Sequence, residues 1–129
     1  MPYLNDSTGD LLTRIRNAQH ARRPSCRAMW SRLNEDLCRL LVREGWLKGV
    51  RIVGEAPKQD IEITFHPDKP ALALKRISKP GRRVYAGNAE LKPVMRGFGL
   101  AVLTTSRGLL TDREARAQKV GGEVLCTIS

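Results

Sequence analysis

The sequence predicts an α+β protein in two small domains, the first α/β and the second mainly β with one short helix. Three observations carry this. Apolar residues recur at helical spacing in two stretches before residue 45. Runs of strand length, alternating or continuously apolar, follow from residue 46 onward. Between the two parts, "HPDKP" at 66–70 marks a turn-rich change of character. The expected division is 1–70, ordered α-β-α-β-β, and 71–129, rich in strands.

The first helix is expected to open at Ser7, with Asp10 three residues on as a capping partner. Leu11, Leu12, Ile15 and Ala18 then form an apolar stripe that runs to about Ala21, and Arg14, Arg16 and Asn17 lie off it. Pro24 in "RRPSC" breaks the helix. A short extended piece is expected from Cys26 to Trp30. Ser31 can cap a second helix whose Leu33, Leu37, Leu40 and Leu41 point inward and whose end is Gly45. "WLKGVRIV" reads as a strand, "GEAPKQD" as a turn, and "IEITF" as a half-buried strand with Ile61, Ile63 and Phe65 on one side.

In the second part, "ALALKRIS" and "RRVYA" read as strands around "KPG", a Pro-Gly pair suited to a type II turn. "AELKPVMRG" has room for one helical turn. "GLAVLTT" is a near-continuous apolar strand. Thr111 and Glu114 have the spacing of a capping box, so a short helix should start there and end at Gly121 and Gly122. "EVLCTIS" alternates Val124, Cys126 and Ile128 onto one face of a last strand.

Charge limits the partners. The 129 residues hold 23 Lys and Arg against 13 Asp and Glu, a net charge of +10. Such a field attracts polyanions, nucleic acid or an anionic membrane face. A membrane-surface helix needs large apolar anchors, and the first helix has a core-like stripe instead. No apolar run approaches the ~20 residues of a membrane span. "MPYLNDSTGDLL" has no basic stretch followed by an apolar one, so no secretory signal is expected. Aromatic residues make up 5%, too few for a binder built on stacked bases.

Chemistry is scarce. Cys26, Cys38 and Cys126 are far apart and form no CxxC pair, which suits reduced thiols. His20 and His66 lack the close partners of a zinc site, so neither metal nor cofactor is expected. There is no phosphate-cradling GxxxxGK[ST] loop, and "GFGLAV" has Val102 where a dinucleotide fingerprint needs its third small residue. Ser106 has no histidine near it in sequence to act as its base. An enzyme is therefore not expected.

The two parts differ in charge. Residues 1–70 carry 12 basic and 9 acidic residues, residues 71–129 carry 11 and 4. An anionic partner should dock mainly on the second part. "TTSRG" there offers the hydroxyls of Thr104, Thr105 and Ser106, which suit phosphate, ribose 2′-OH and base edges. Arg107 can fork onto a phosphate or stack on a base, and Gly108 allows close backbone approach. The alternative is a polar strand-to-helix turn with its own caps. The unbalanced charge around it favours RNA. Glu123 is expected either to accept hydrogen bonds from RNA or to brace a neighbouring cation.

"DLLTRIRNAQ" at 10–19, "REGWL" at 43–47, "ISKPGRRVY" at 77–85, "GLAVLTTSRGLLTDREAR" at 99–116 and "GGEVLCTI" at 121–128 resemble the eighth-protein family of the bacterial-type small ribosomal subunit. The likeness runs in order along nearly the whole chain, and 99–116 is its most specific part. It implies a structural constituent of the small subunit that binds the central domain of the ribosomal RNA early and supports assembly, beside neighbouring ribosomal proteins. It implies a ribosomal location, in the bacterial cytoplasm or an organelle matrix. In many bacteria the family also represses its own operon by binding a look-alike messenger RNA. Carried over, Thr104, Thr105, Ser106, Arg107 and Gly108 should meet the RNA core. Tyr85, Gly121, Gly122 and Glu123 should line the same surface. Arg14, Arg16 and Asn17, with Lys79, Pro80, Gly81 and Arg82, should touch the backbone. The pattern departs at 26–41, where Trp30 stands in place of an expected proline.

Overall fold

The computed structural model describes residues 7–67, 72–78, 81–87 and 99–129. The expected helical turn at 89–97 lies outside them. The chain forms two compact units, one of residues 7–72 and the other built from residues 73–129.

The first unit is two helices on a three-stranded antiparallel sheet. Its elements are α1 (Ser7–His20), β1 (Ser25–Met29), α2 (Arg32–Arg43), β2 (Gly49–Glu55) and β3 (Lys58–Thr64), with β3 central. Leu11, Leu12 and Ile15 of α1, Leu37 and Leu41 of α2, and Ile61 and Ile63 of β3 are fully buried together with Leu47. Each helix therefore spends its apolar stripe on the sheet. On another row of the sheet Arg27, Glu62 and Arg51 are in register, and Glu62 pairs with both arginines, at 3.2 and 2.9 Å.

Several local expectations change. Asp10 pairs with Arg14 one turn on, at 2.8 Å. Helix α1 stops at His20, four residues before Pro24, because Arg22 turns left-handed (φ +56°) and the N–H groups of Arg22 and Arg23 close on the carbonyls of Gln19 and Ala18. Ser31 does cap α2, accepting from the Asn34 N–H. Leu33 is exposed, however, and Asn34 and Cys38 are buried in its place. Asn34 tolerates burial because its amide donates to the Met29 carbonyl and accepts from the Thr8 hydroxyl. Glu44 caps the end of α2, with Gly45 just beyond it at φ +84°. The strand expected from Trp46 begins only at Gly49, and the turn between β2 and β3 shrinks to Ala56 and Pro57.

Among the described residues, the second unit is a five-stranded antiparallel sheet with one helix. It comprises β4 (Leu74–Arg76), β5 (Tyr85–Ala86), β6 (Leu100–Thr105), β7 (Gly108–Thr111), α3 (Asp112–Gln118) and β8 (Gly122–Ile128). The order is β4-β8-β6-β7, with β5 also paired to β8. Ala101, Leu103, Leu110 and Ala115 form a core against which Val120 and Val124 pack. Thr111 and Glu114 form the expected capping box of α3. Buried Asp112 accepts from the Ala101 N–H and pairs with Arg116 at 2.8 Å, tying the helix to β6.

Candidate nucleic-acid interface

The "TTSRG" stretch does not lead from strand to helix as expected. It is the tip of a hairpin, because residues 108–111 form a further strand, β7, paired with β6. Thr105 faces Gly108, and only Ser106 and Arg107 lie between. Gly108 takes φ +96°, which lets two ordinary residues turn without splaying the strands. The Thr105 hydroxyl then donates to the Gly108 carbonyl, at 2.9 Å, and accepts from the Arg107 N–H, at 3.0 Å. Arg107 donates to Gln118 Oε1 at the end of α3, at 3.1 Å. Thr105 is thus occupied inside the turn. The hydroxyls of Thr104 and Ser106 make no hydrogen bond to another described residue, and Ser106 is exposed.

The sheet aligns three more of the expected residues in one row. Tyr85 on β5 faces Glu123 on β8, and Glu123 faces Thr104 on β6. Directly opposed residues share a face, with Cβ atoms about 5 Å apart. Tyr85 is 69% exposed, while Glu123 is only 9% exposed. Arg83 explains that burial by donating to Glu123 Oε2 at 3.0 Å. The bracing arrangement foreseen for Glu123 is present, and Arg83 is a member of this surface that sequence reasoning missed. Its signal was the need of a buried acid for a cation.

Gly121 and Gly122 do not end α3; Lys119 does, at φ +57°. The glycines are needed for close approach instead. A Cβ on Gly121 would meet the Ala86 carbonyl oxygen at 2.5 Å, and one on Gly122 would collide with the Thr104 carbonyl oxygen. The pair lets β8 lie between β5 and the hairpin strand β6. Gly81 has φ +81°, as a Pro-Gly turn requires, and Arg82 is exposed, while Lys79 and Pro80 lie outside the described residues.

Arg14, Arg16 and Asn17 belong to the other unit. Arg14 and Asn17 line a cleft of about 370 Å³ with Arg23 and Arg27, which sequence reasoning did not single out. Arg16 is not with them, since it lies about 200° around α1 from Arg14. The hydrogen bond that Arg14 donates to Asp10 raises the Arg14 pKa further above its ordinary value, so its charge is secure.

The chain matches the family described as Ribosomal protein S8 over residues 6–129. It belongs to that family. Among curated relatives of the chain, the small ribosomal subunit protein uS8 of Chromobacterium violaceum is 41% identical, with 98% of each chain covered. Those of Halorhodospira halophila and Zymomonas mobilis subsp. mobilis are 43% and 44% identical, each covering 97% of this chain and 98% of the relative.

In this S8-family chain the three thiols are free, Cys26 half-buried and Cys38 and Cys126 buried. Burial pushes Cys26 up to about 11 and both Cys38 and Cys126 up to about 12. No group of three metal-ligating side chains occurs among the described residues. No helix among them is long and apolar enough to cross a membrane. At the divergent 26–41 stretch, the Trp30 indole N–H donates to Glu35 Oε1 at 2.8 Å, and Arg39 pairs with the other oxygen. Together they hold the Glu35 carboxyl below its usual range.

Proposed function

We propose that this chain is a structural protein of the small ribosomal subunit that binds the central domain of the ribosomal RNA through its second unit and so supports assembly. Membership of the ribosomal protein S8 family makes it a ribosomal protein and not an enzyme. One observation carries the finer reading. The β6–β7 hairpin leaves the hydroxyls of Thr104 and Ser106 uncommitted beside an aligned row of Tyr85, Glu123 and Thr104. Hydroxyls without partners, an exposed ring and a braced cation are groups that read ribose, base edges and phosphate of a structured RNA. The low carboxylate content of residues 71–129 keeps the field around them positive.

In this reading Ser106 and Thr104 contact the RNA core, Arg107 and Arg83 face phosphates, and Gly108, Gly121 and Gly122 allow close backbone approach. Gly81 and Arg82 touch the RNA backbone, the contact that the resemblance also implies for Lys79 and Pro80. Arg14, Arg16 and Asn17 meet RNA backbone from the first unit. The test is chemical footprinting of small-subunit RNA with the full-length protein. The expected result is protection of an irregular internal loop in the central domain, lost in a Thr104→Ala, Ser106→Ala variant that still folds. Equal protection by parent and variant would place the RNA contact elsewhere.

A further inference from the structure

The first unit holds a second basic hollow that the function above does not use. A cleft of about 590 Å³ opens where α1 ends, within the size range of small-ligand sites. Pro24, Phe65 and Pro67 give it apolar walls, and Arg22, Arg23 and Lys48 line it with charge. Among the described residues that line it there is no carboxylate. Four other cations of this unit are neutralised locally, Arg14 by Asp10, Arg27 and Arg51 by Glu62, and Arg39 by Glu35. Arg22, Arg23 and Lys48 pair with no carboxylate among the described residues.

Arg22 adds an independent sign. It sits just beyond the end of α1 in the left-handed region, where glycine or asparagine is the unstrained choice. An arginine there carries backbone strain that glycine would not. The helix dipole offsets part of this for any nearby cation. That effect accounts neither for the apolar walls nor for Lys48, which lies far along the chain. Arg23 also lines the neighbouring cleft of Arg14, Asn17 and Arg27, so the two hollows share a side chain. A partner with charge repeated along its backbone can occupy both.

We infer that the cleft receives an unpaired nucleotide of the bound RNA, its phosphate held by Arg22, Arg23 and Lys48 and its base laid on the wall of Pro24, Phe65 and Pro67. The inference rests on RNA being the partner and does not depend on where RNA meets the second unit.

The full-length protein, labelled with ¹⁵N, is titrated with a short oligouridylate. The amides of Lys48, Phe65 and His66 should shift, and should do so equally in Ser106→Ala, so that failure of the hairpin surface is read separately. An Arg22→Gly, Lys48→Gln variant should bind the oligonucleotide about tenfold more weakly at low salt. Its Tm should not fall, because glycine relieves the left-handed backbone. Lys48→Gln alone, an exposed change, should show a smaller loss in the same direction. Parent-like binding by the double variant would overturn the inference. So would a short oligoglutamate that produces the same shifts at the same concentration, since the cleft would then answer to any acidic polymer.

Discussion

Ser106 and Thr105 are neighbours of the same chemistry, yet only one has a free hydroxyl. The Thr105 oxygen is engaged with the Gly108 carbonyl and the Arg107 N–H. Ser106→Ala should therefore leave thermal stability unchanged and weaken RNA binding by about 1 kcal/mol, or up to ~3 if it strands a buried RNA group. Titration with a central-domain RNA fragment checks this, and parent-like affinity would remove Ser106 from the interface. Glu123 and Arg83 act together, since the carboxylate is buried against the guanidinium. Glu123→Gln and Arg83→Ala should each loosen RNA binding, and the double variant should lose less than the two losses combined. Fully additive losses at fixed salt would mean that the acid meets the RNA without help from Arg83. Tighter binding by Glu123→Gln would mean that it only opposes the polyanion.

At the scale of elements, the placement of β8 turns on one missing methyl group. Gly122→Ala drives a Cβ into the Thr104 carbonyl oxygen, where backbone and not a flexible side chain must yield. It should destabilise the protein by about 2 kcal/mol or more and disturb the row of Tyr85, Glu123 and Thr104. Gly49→Ala, with nothing near its added Cβ, is the control and should fall within about 0.5 kcal/mol of the parent in urea denaturation. Elements with a strong period or a cap were legible in the sequence: the stripe of α1, the Ser31 cap, the Thr111–Glu114 box and the apolar strand β6. The misses share a cause. Strand β7 is four residues opening on a glycine, too short for a period, and only its partner β6 makes it a strand. Leu33 lost its inward place to Asn34, whose amide found partners in Thr8 and Met29 that spacing does not reveal. The site was legible as residue types near a loop. Its division into committed and free hydroxyls, and the pairing of Glu123 with Arg83 forty residues away, come from tertiary contact alone.

For the molecule as a whole, each unit buries a thiol that is neutral at physiological pH. Cys38 and Cys126 titrate near 12 in the fold, against ~8.5 in an unfolded chain. Between those values the unfolded chain holds fewer protons than the native one. The stability linked to these thiols is therefore complete below pH ~8.5 and is lost as pH rises toward 12. Each thiol contributes a slope of up to about 1.4 kcal/mol per pH unit in that window. Urea midpoints measured from pH ~8 to ~11 should fall steadily in the parent. They should fall less steeply in a Cys38→Ala, Cys126→Ala variant, even though its cavities lower the whole curve. Identical slopes would show that other groups govern alkaline unfolding.

The hydroxyl that closes the hairpin also bears on how quickly a complex forms. A tip already held in one shape needs no rearrangement after encounter, so association should run at the rate of charge-steered diffusion and slow as salt is added. Differences among variants with an intact turn then belong to the lifetime of the complex. Thr105→Val keeps the charge and a strand-forming side chain but releases both bonds across the turn. Stopped-flow mixing with RNA should show slower arrival in that variant at equal salt, with much of the lost affinity on the association side. If arrival is unchanged and only departure quickens, the tip is reshaped after contact and its order before contact serves the fold alone.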